Sequence, residues 1–119
     1  MKEVVKLTKA GKFSITLSES VKPLFKQQLE WFVNGLYECL RDNKKVTTDN
    51  NAESIYYYAI NEVLMRYQRS LPWRKGTIKL ILTRVEAHVY WELCMTHFAL
   101  PNNNPEIGNI LMELHRRLS

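Results

Sequence analysis

Between Ala52 and Tyr67 the apolar side chains return every three or four residues: Ala52, Ile55, Tyr56, Ala59, Ile60, Val63, Leu64, Tyr67. That spacing lines one side of a rod with 3.6 residues per turn, and little else can bury it. The segment is bounded on both sides. Val46 to Asn51 is rich in residues that cap helices, and Leu71-Pro72-Trp73-Arg74-Lys75-Gly76 contains both helix breakers. A helix from about Asn50 to Ser70 follows, and it must find partners for its apolar stripe.

The same rule predicts three more helices. Val21, Leu24, Phe25, Leu29, Phe32, Val33, Leu36 and Leu40 form a stripe after Ser18 and Ser20, either of which can cap it. Pro23 then falls in the first turn, where its missing N–H costs little. This helix should end at Arg41 to Lys45. Gly35 lowers its stability by about 1 kcal/mol relative to Ala and is expected to mark a close helix crossing. A third helix is predicted from Thr77 to about Ala99, apolar on most sides and therefore central. Pro101 to Pro105 ends it, and a short last helix begins near Glu106 with Ile107, Ile110, Leu111, Leu114 and Leu118 inward.

The N-terminal part has a different period. Phe13-Ser14-Ile15-Thr16-Leu17 alternates apolar and polar, as a half-buried strand does. Val4, Val5 and Leu7 supply a weaker run before it, and Gly11 can take the positive φ of a hairpin turn. The expected fold is mainly α: one domain over residues 1–119, with a β-ribbon at 1–17 and about four bundled helices at 18–119. A length of 119 residues leaves room for one core. Two strands alone are marginal in water, so the ribbon needs a helix layer or a second copy of itself.

Several function classes find no support. No apolar run approaches the roughly 18 residues of a membrane span, so no membrane partner is expected. No apolar stretch follows Met1 to Lys6, so a secretory leader is not expected. Cys39 and Cys94 then read as free thiols in a reducing, cytoplasmic setting. With only four glycines there is no phosphate-cradling loop or dinucleotide fingerprint, and no cofactor is expected. His88 and Glu92 are four apart on one helical face, with Cys94 and His97 beyond. They match no standard metal spacing and read more simply as a polar stripe. A Cys94–His97 nucleophile pair would need an orienting group and an oxyanion site, and an apolar neighbourhood favours an inert thiol. No catalytic or metal residue is assigned.

The basic residues say more. The formal net charge is +5, which favours acidic partners. Arg66, Arg69, Arg74, Lys75 and Lys79 gather around the Pro72–Gly76 joint with Trp73 among them. They could attract phosphates, with the ring stacking on a base, or neutralise a helix end. Lys2, Lys6, Lys9 and Lys12 would make the ribbon positive beside Ser14 and Thr16. Lysines there could position on phosphates, or equally deter edge-to-edge pairing.

The stretch Lys12 to Leu17, followed by Ser18 and a helix, resembles the start of ribbon-helix-helix DNA-binding proteins. The resemblance implies that Lys12, Ser14 and Thr16 face a DNA groove. It also implies that two chains pair their strands, and that the helix start at Asn50 to Ile55 meets a phosphate. The first helix here is nearly twice as long as in that family, and a hairpin partner for the strand is also expected. The sequence therefore points to a non-enzymatic regulatory or nucleic-acid-binding module, with Lys9, Lys12, Ser14, Thr16, Arg69, Arg74 and Lys75 as contacts. The alternative is a helical assembly protein, homodimeric or bound to another protein, using off-stripe aromatics such as Trp31, Tyr37, Tyr57 and Tyr58. A metal-dependent enzyme built on His88, Glu92 and His97 is a distant third.

Overall fold

The computed structural model describes residues 4–42, 48–70, 75–96 and 105–118. The elements run β1 (Val5–Leu7), β2 (Phe13–Leu17), α1 (Lys22–Asp42), α2 (Thr48–Ser70), β3 (Ile78–Leu82), α3 (Arg84–Thr96) and α4 (Pro105–Leu118). Among the described residues the protein is mainly α, with four helices and one small antiparallel sheet.

The hairpin is where the alternation placed it. Val5, Lys6 and Leu7 pair with Ile15, Ser14 and Phe13. The turn closes through the Gly11 amide donating to the Thr8 carbonyl at 3.0 Å, and Gly11 takes φ +76°. A type I turn followed by a left-handed residue is a standard three-residue hairpin loop, and Gly enters that conformation without a Cβ clash.

The start of the predicted third helix is instead a strand. Ile78, Leu80 and Leu82 point inward while Lys79 and Ile81 point outward, and the segment pairs with β2 from Phe13↔Leu82 to Leu17↔Ile78. Read in isolation, the run Ile78-Lys79-Leu80-Ile81-Leu82 fits both periods. A capping box decides it. The Glu86 amide donates to Thr83 Oγ1 at 3.2 Å, and the Thr83 amide donates to Glu86 Oε1 at 2.8 Å. These reciprocal bonds satisfy two of the orphan donors of a helix start. The helix therefore begins after Thr83, leaving the preceding five residues extended.

The sheet order is β1-β2-β3, so β2 is central and both its edges are filled within the chain. The ribbon-helix-helix arrangement needs a free edge on this strand for a second chain, and none is left. Side chains engage the two outer edges as well. The Val5 amide donates to Glu113 of α4 at 2.6 Å, and Arg66 Nη1 of α2 donates to the Ile81 carbonyl at 2.8 Å. Covered edges are less available for pairing with another chain.

The helices lie against the inner face of the sheet. Val5, Ile15 and Leu80 form one inward row; Phe13 and Leu82 form part of the next, and all five are buried. Val21, Phe25, Leu29, Phe32 and Leu36 of α1 are buried as their spacing requires, as are Ile60, Val63, Leu64 and Tyr67 of α2. From α4, Ile107, Ile110, Leu111 and Leu114 close the core. The central position expected of the third helix holds for its α3 part. Tyr90 is fully buried, with its ring 5.1 Å from Phe25 and 6.5 Å from Phe32.

Two inward assignments and one crossing change. Ile55 is 57% exposed and Val85, of the predicted third-helix stripe, is 60% exposed. Ile55 lies seven residues before exposed Glu62 and Val85 three before exposed His88, on the outer sides of their helices. Gly35 is exposed and a Cβ there would meet nothing within 4 Å, so it marks no helix crossing.

Candidate nucleic-acid interface

A sheet with helices on one side keeps its other side for solvent. Here the outward residues are set by the register. Lys6, Ser14 and Ile81 lie across from one another in one row, and Thr16 pairs with Lys79 in the next. Lys6, Lys79 and Ile81 are exposed, while the central Ser14 and Thr16 are half-buried between the outer strands. Lys9 and Lys12 are exposed at the hairpin turn, beside the Phe13 end of β2. The Lys12 amide is held by Thr8 Oγ1 at 3.1 Å, and its carbonyl by the Thr8 amide at 2.7 Å, which fixes where its side chain departs. Lys75 is exposed at the opposite end, ahead of β3.

The charge of this region is one-sided. Residues 4–17 and 75–84 carry six basic side chains, Lys6, Lys9, Lys12, Lys75, Lys79 and Arg84, and no acidic one. All six are exposed. The rest of the chain holds eleven basic and twelve acidic residues. The whole excess of positive charge therefore resides in the sheet and its flanking turns. Three carboxylates from other parts of the chain bond to the backbone of these segments, Glu113 to the Val5 amide at 2.6 Å among them. Glu19 accepts from the Gly76 amide at 3.1 Å. Glu86 is buried, caps α3 and forms an ion pair with Arg66.

Of the contact residues expected from the sequence, Lys9, Lys12, Ser14, Thr16 and Lys75 are brought to this sheet. Arg69 is not part of it. It stands on α2 with its guanidinium turned to the Met65 carbonyl at 3.3 Å and to Glu62 at 3.5 Å. Arg74, Trp73, Lys2 and His97 lie outside the described residues, as do the side chains of Asn50 and Asn51. The sheet adds Lys6, Lys79 and Ile81, whereas Arg84 at the start of α3 sets its guanidinium over the ring of inward-facing Phe13 at 6.0 Å. Lys79 and Ile81 were missed as face residues because the strand was read as helix. The Thr83-x-x-Glu86 box was the signal that could have found them.

The residues considered for catalysis have structural occupations. Tyr56 donates a hydrogen bond to Glu92, and that bond, with burial and the carboxylate charge, holds the phenol above its usual range. His88 is exposed with its ring edge-on to Trp91 at 6.4 Å, and Trp91 stacks on His115 of α4 at 5.2 Å. Cys94 is buried, and burial pushes its thiol up to about 12 although a hydrogen bond with Tyr90 acts the other way. A thiol so raised stays protonated near neutrality and is a poor nucleophile. Tyr90 also donates to Gln28 Oε1 at 2.6 Å, and Gln28 Nε2 reaches Cys94 Sγ at 3.9 Å. This is a closed polar triad inside an apolar core. Among the described residues no three His, Cys, Asp or Glu side chains converge as a metal site. Nor is any described helix long and apolar enough to cross a membrane.

Compared with known proteins, the chain matches no family, no curated protein and no solved structure.

Proposed function

We propose that the protein is a non-enzymatic nucleic-acid-binding module that uses the open face of its sheet. The observation that carries this reading is the segregation of charge along the chain. Residues 4–17 and 75–84 hold six exposed cations and no acid of their own, against a nearly neutral remainder, and Glu19, Glu86 and Glu113 reach them through backbone amides. Clustered cations attract a phosphate backbone and release its counterions, which supplies most of the affinity of non-specific binding. A regulatory role is consistent with such a small module. Labelled duplex and single-stranded DNA titrated at two salt concentrations test the reading. Binding that is tight at low salt and weakens steeply with salt is expected; no binding at low salt removes the proposal.

A second reading is favoured by exposed aromatics on the α1–α2 pair. Tyr37 is 53% exposed and Tyr58 is 70% exposed, and both rings lie against Tyr57 at 6.2 and 5.5 Å. Clustered exposed aromatics are enriched at protein interfaces. Under this reading the protein self-associates through that cluster. Light scattering should then report a dimer that Tyr58→Glu dissociates; a strict monomer at high concentration argues against it.

A further inference from the structure

We infer that the ligand of this face is double-helical DNA, entered through the major groove, with the central strand toward the base edges and the perimeter on the phosphates. The inference rests on the nucleic-acid reading above and adds the kind of nucleic acid and the mode of contact.

The arrangement of side chains across the face carries it. The two outward residues of the central strand, Ser14 and Thr16, are short and uncharged. Five exposed lysines lie around them, Lys6 on β1, Lys79 on β3, Lys9 and Lys12 at the hairpin turn and Lys75 ahead of β3, while the Arg84 guanidinium lies over the ring of inward-facing Phe13 at 6.0 Å. Hydroxyls can donate to or accept from base edges, whereas flexible ammonium groups suit the phosphates that border a groove. Ile81 shares the row of Ser14 and is 38% exposed. An apolar side chain beside a hydroxyl suits the thymine methyl group, which only the major groove displays.

Dimensions point the same way. Strands sit about 4.8 Å apart, so β1 and β3 are separated by about 10 Å. The major groove of B-form DNA is about 12 Å wide and its minor groove about 6 Å. The face is too broad for the minor groove, whereas the major groove can take the central strand with the two outer strands along its phosphate rims. The major groove of an RNA helix is too deep and narrow for side chains to read. Single strands are usually held by aromatic rings on which bases stack. The outward residues of the three strands include no aromatic: they are Lys6, Ser14, Thr16, Lys79 and Ile81.

The test uses the full chain and four probes of one sequence: duplex DNA, the same duplex with glucosylated hydroxymethylcytosine, duplex RNA and single-stranded DNA. Glucose is neutral and fills the major groove without changing phosphate charge. Plain duplex DNA should bind best, and the glucosylated duplex at least about tenfold more weakly, in line with the value of base-edge contacts. Ser14→Ala/Thr16→Val should shrink that difference, because both side chains face outward and their loss leaves the core intact. Equal binding of the plain and glucosylated duplexes overturns the groove inference while leaving nucleic-acid binding standing. Preference for RNA or for the single strand does the same. Failure of all four probes to bind at low salt overturns both.

Discussion

If phosphate contacts hold the ligand, neutralising the two lysines on the outer strands should change the salt dependence of binding by a calculable amount. Lys6 and Lys79 are exposed and lie on opposite flanks of the central strand, so Lys6→Gln/Lys79→Gln removes two cations without touching the core. Each neutralised phosphate contributes about 0.9 to the slope of log affinity against log salt on B-form DNA. The five lysines in contact give a slope of about −4.5 and a fall of about five-hundredfold between roughly 50 and 200 mM salt. The double variant should have a slope smaller in magnitude by about 2, and should fall only about fortyfold over that interval. Fluorescence anisotropy of a labelled duplex at five or more salt concentrations measures both. Arg41→Gln, near the far end of α1, is the control and should leave the slope unchanged. An equal loss of slope in the control and in the double variant would mean that net charge, not this face, binds the ligand.

Three further outcomes follow from the packing. Glu86→Ala removes the α3 capping box, leaves the Thr83 amide without its acceptor and takes the ion-pair partner of Arg66, so it should cost roughly 2–3 kcal/mol in chemical denaturation; a cost under about 0.5 kcal/mol would contradict the assigned helix start. With its thiol raised to about 12, Cys94 should resist a thiol reagent at neutral pH while exposed Cys39 reacts, giving one reactive thiol folded and two unfolded. The raised folded value also means that the unfolded chain loses its Cys94 proton first. Stability is therefore fully retained below the ordinary value of 9.0 and declines as pH rises from there toward about 12, and Cys94→Ala should flatten that alkaline decline. Gly11→Val forces a β-branched residue to φ +76°, which should cost about 1–2 kcal/mol. It should also weaken DNA binding if Lys9 and Lys12 need the turn to hold their places.

Much of this could be read from residue spacing. The α1, α2 and α4 stripes are long, singly periodic and punctuated by Pro and capping residues, so their buried faces followed from the 3.6-residue repeat. The hairpin followed from the alternation at Phe13 to Leu17 and from Gly11. What escaped was β3. Five residues with three or four apolar side chains satisfy helix and strand alike, and the partner that makes Ile78–Leu82 a strand is sixty residues away in sequence. Losing β3 also hid the candidate site. Ser14 and Thr16 were expected on a two-stranded ribbon covered by a helix layer or by a second copy of itself. Only the third strand puts them at the centre of a face with Lys6 and Lys79 on its flanks. Arg69 stands on α2, apart from the sheet, although it is close in sequence to the basic joint. A helix end and a sheet face need not share a surface.

Amide proton–nitrogen correlation spectra of the labelled protein, recorded while duplex DNA is added, put the central claim to the most direct test. The largest shifts should fall at Lys6, Lys12, Ser14, Thr16, Lys79 and Ile81, with α1 and α4 nearly unmoved. Shifts gathered instead around Tyr37, Tyr57 and Tyr58, or no shifts at low salt, would contradict it.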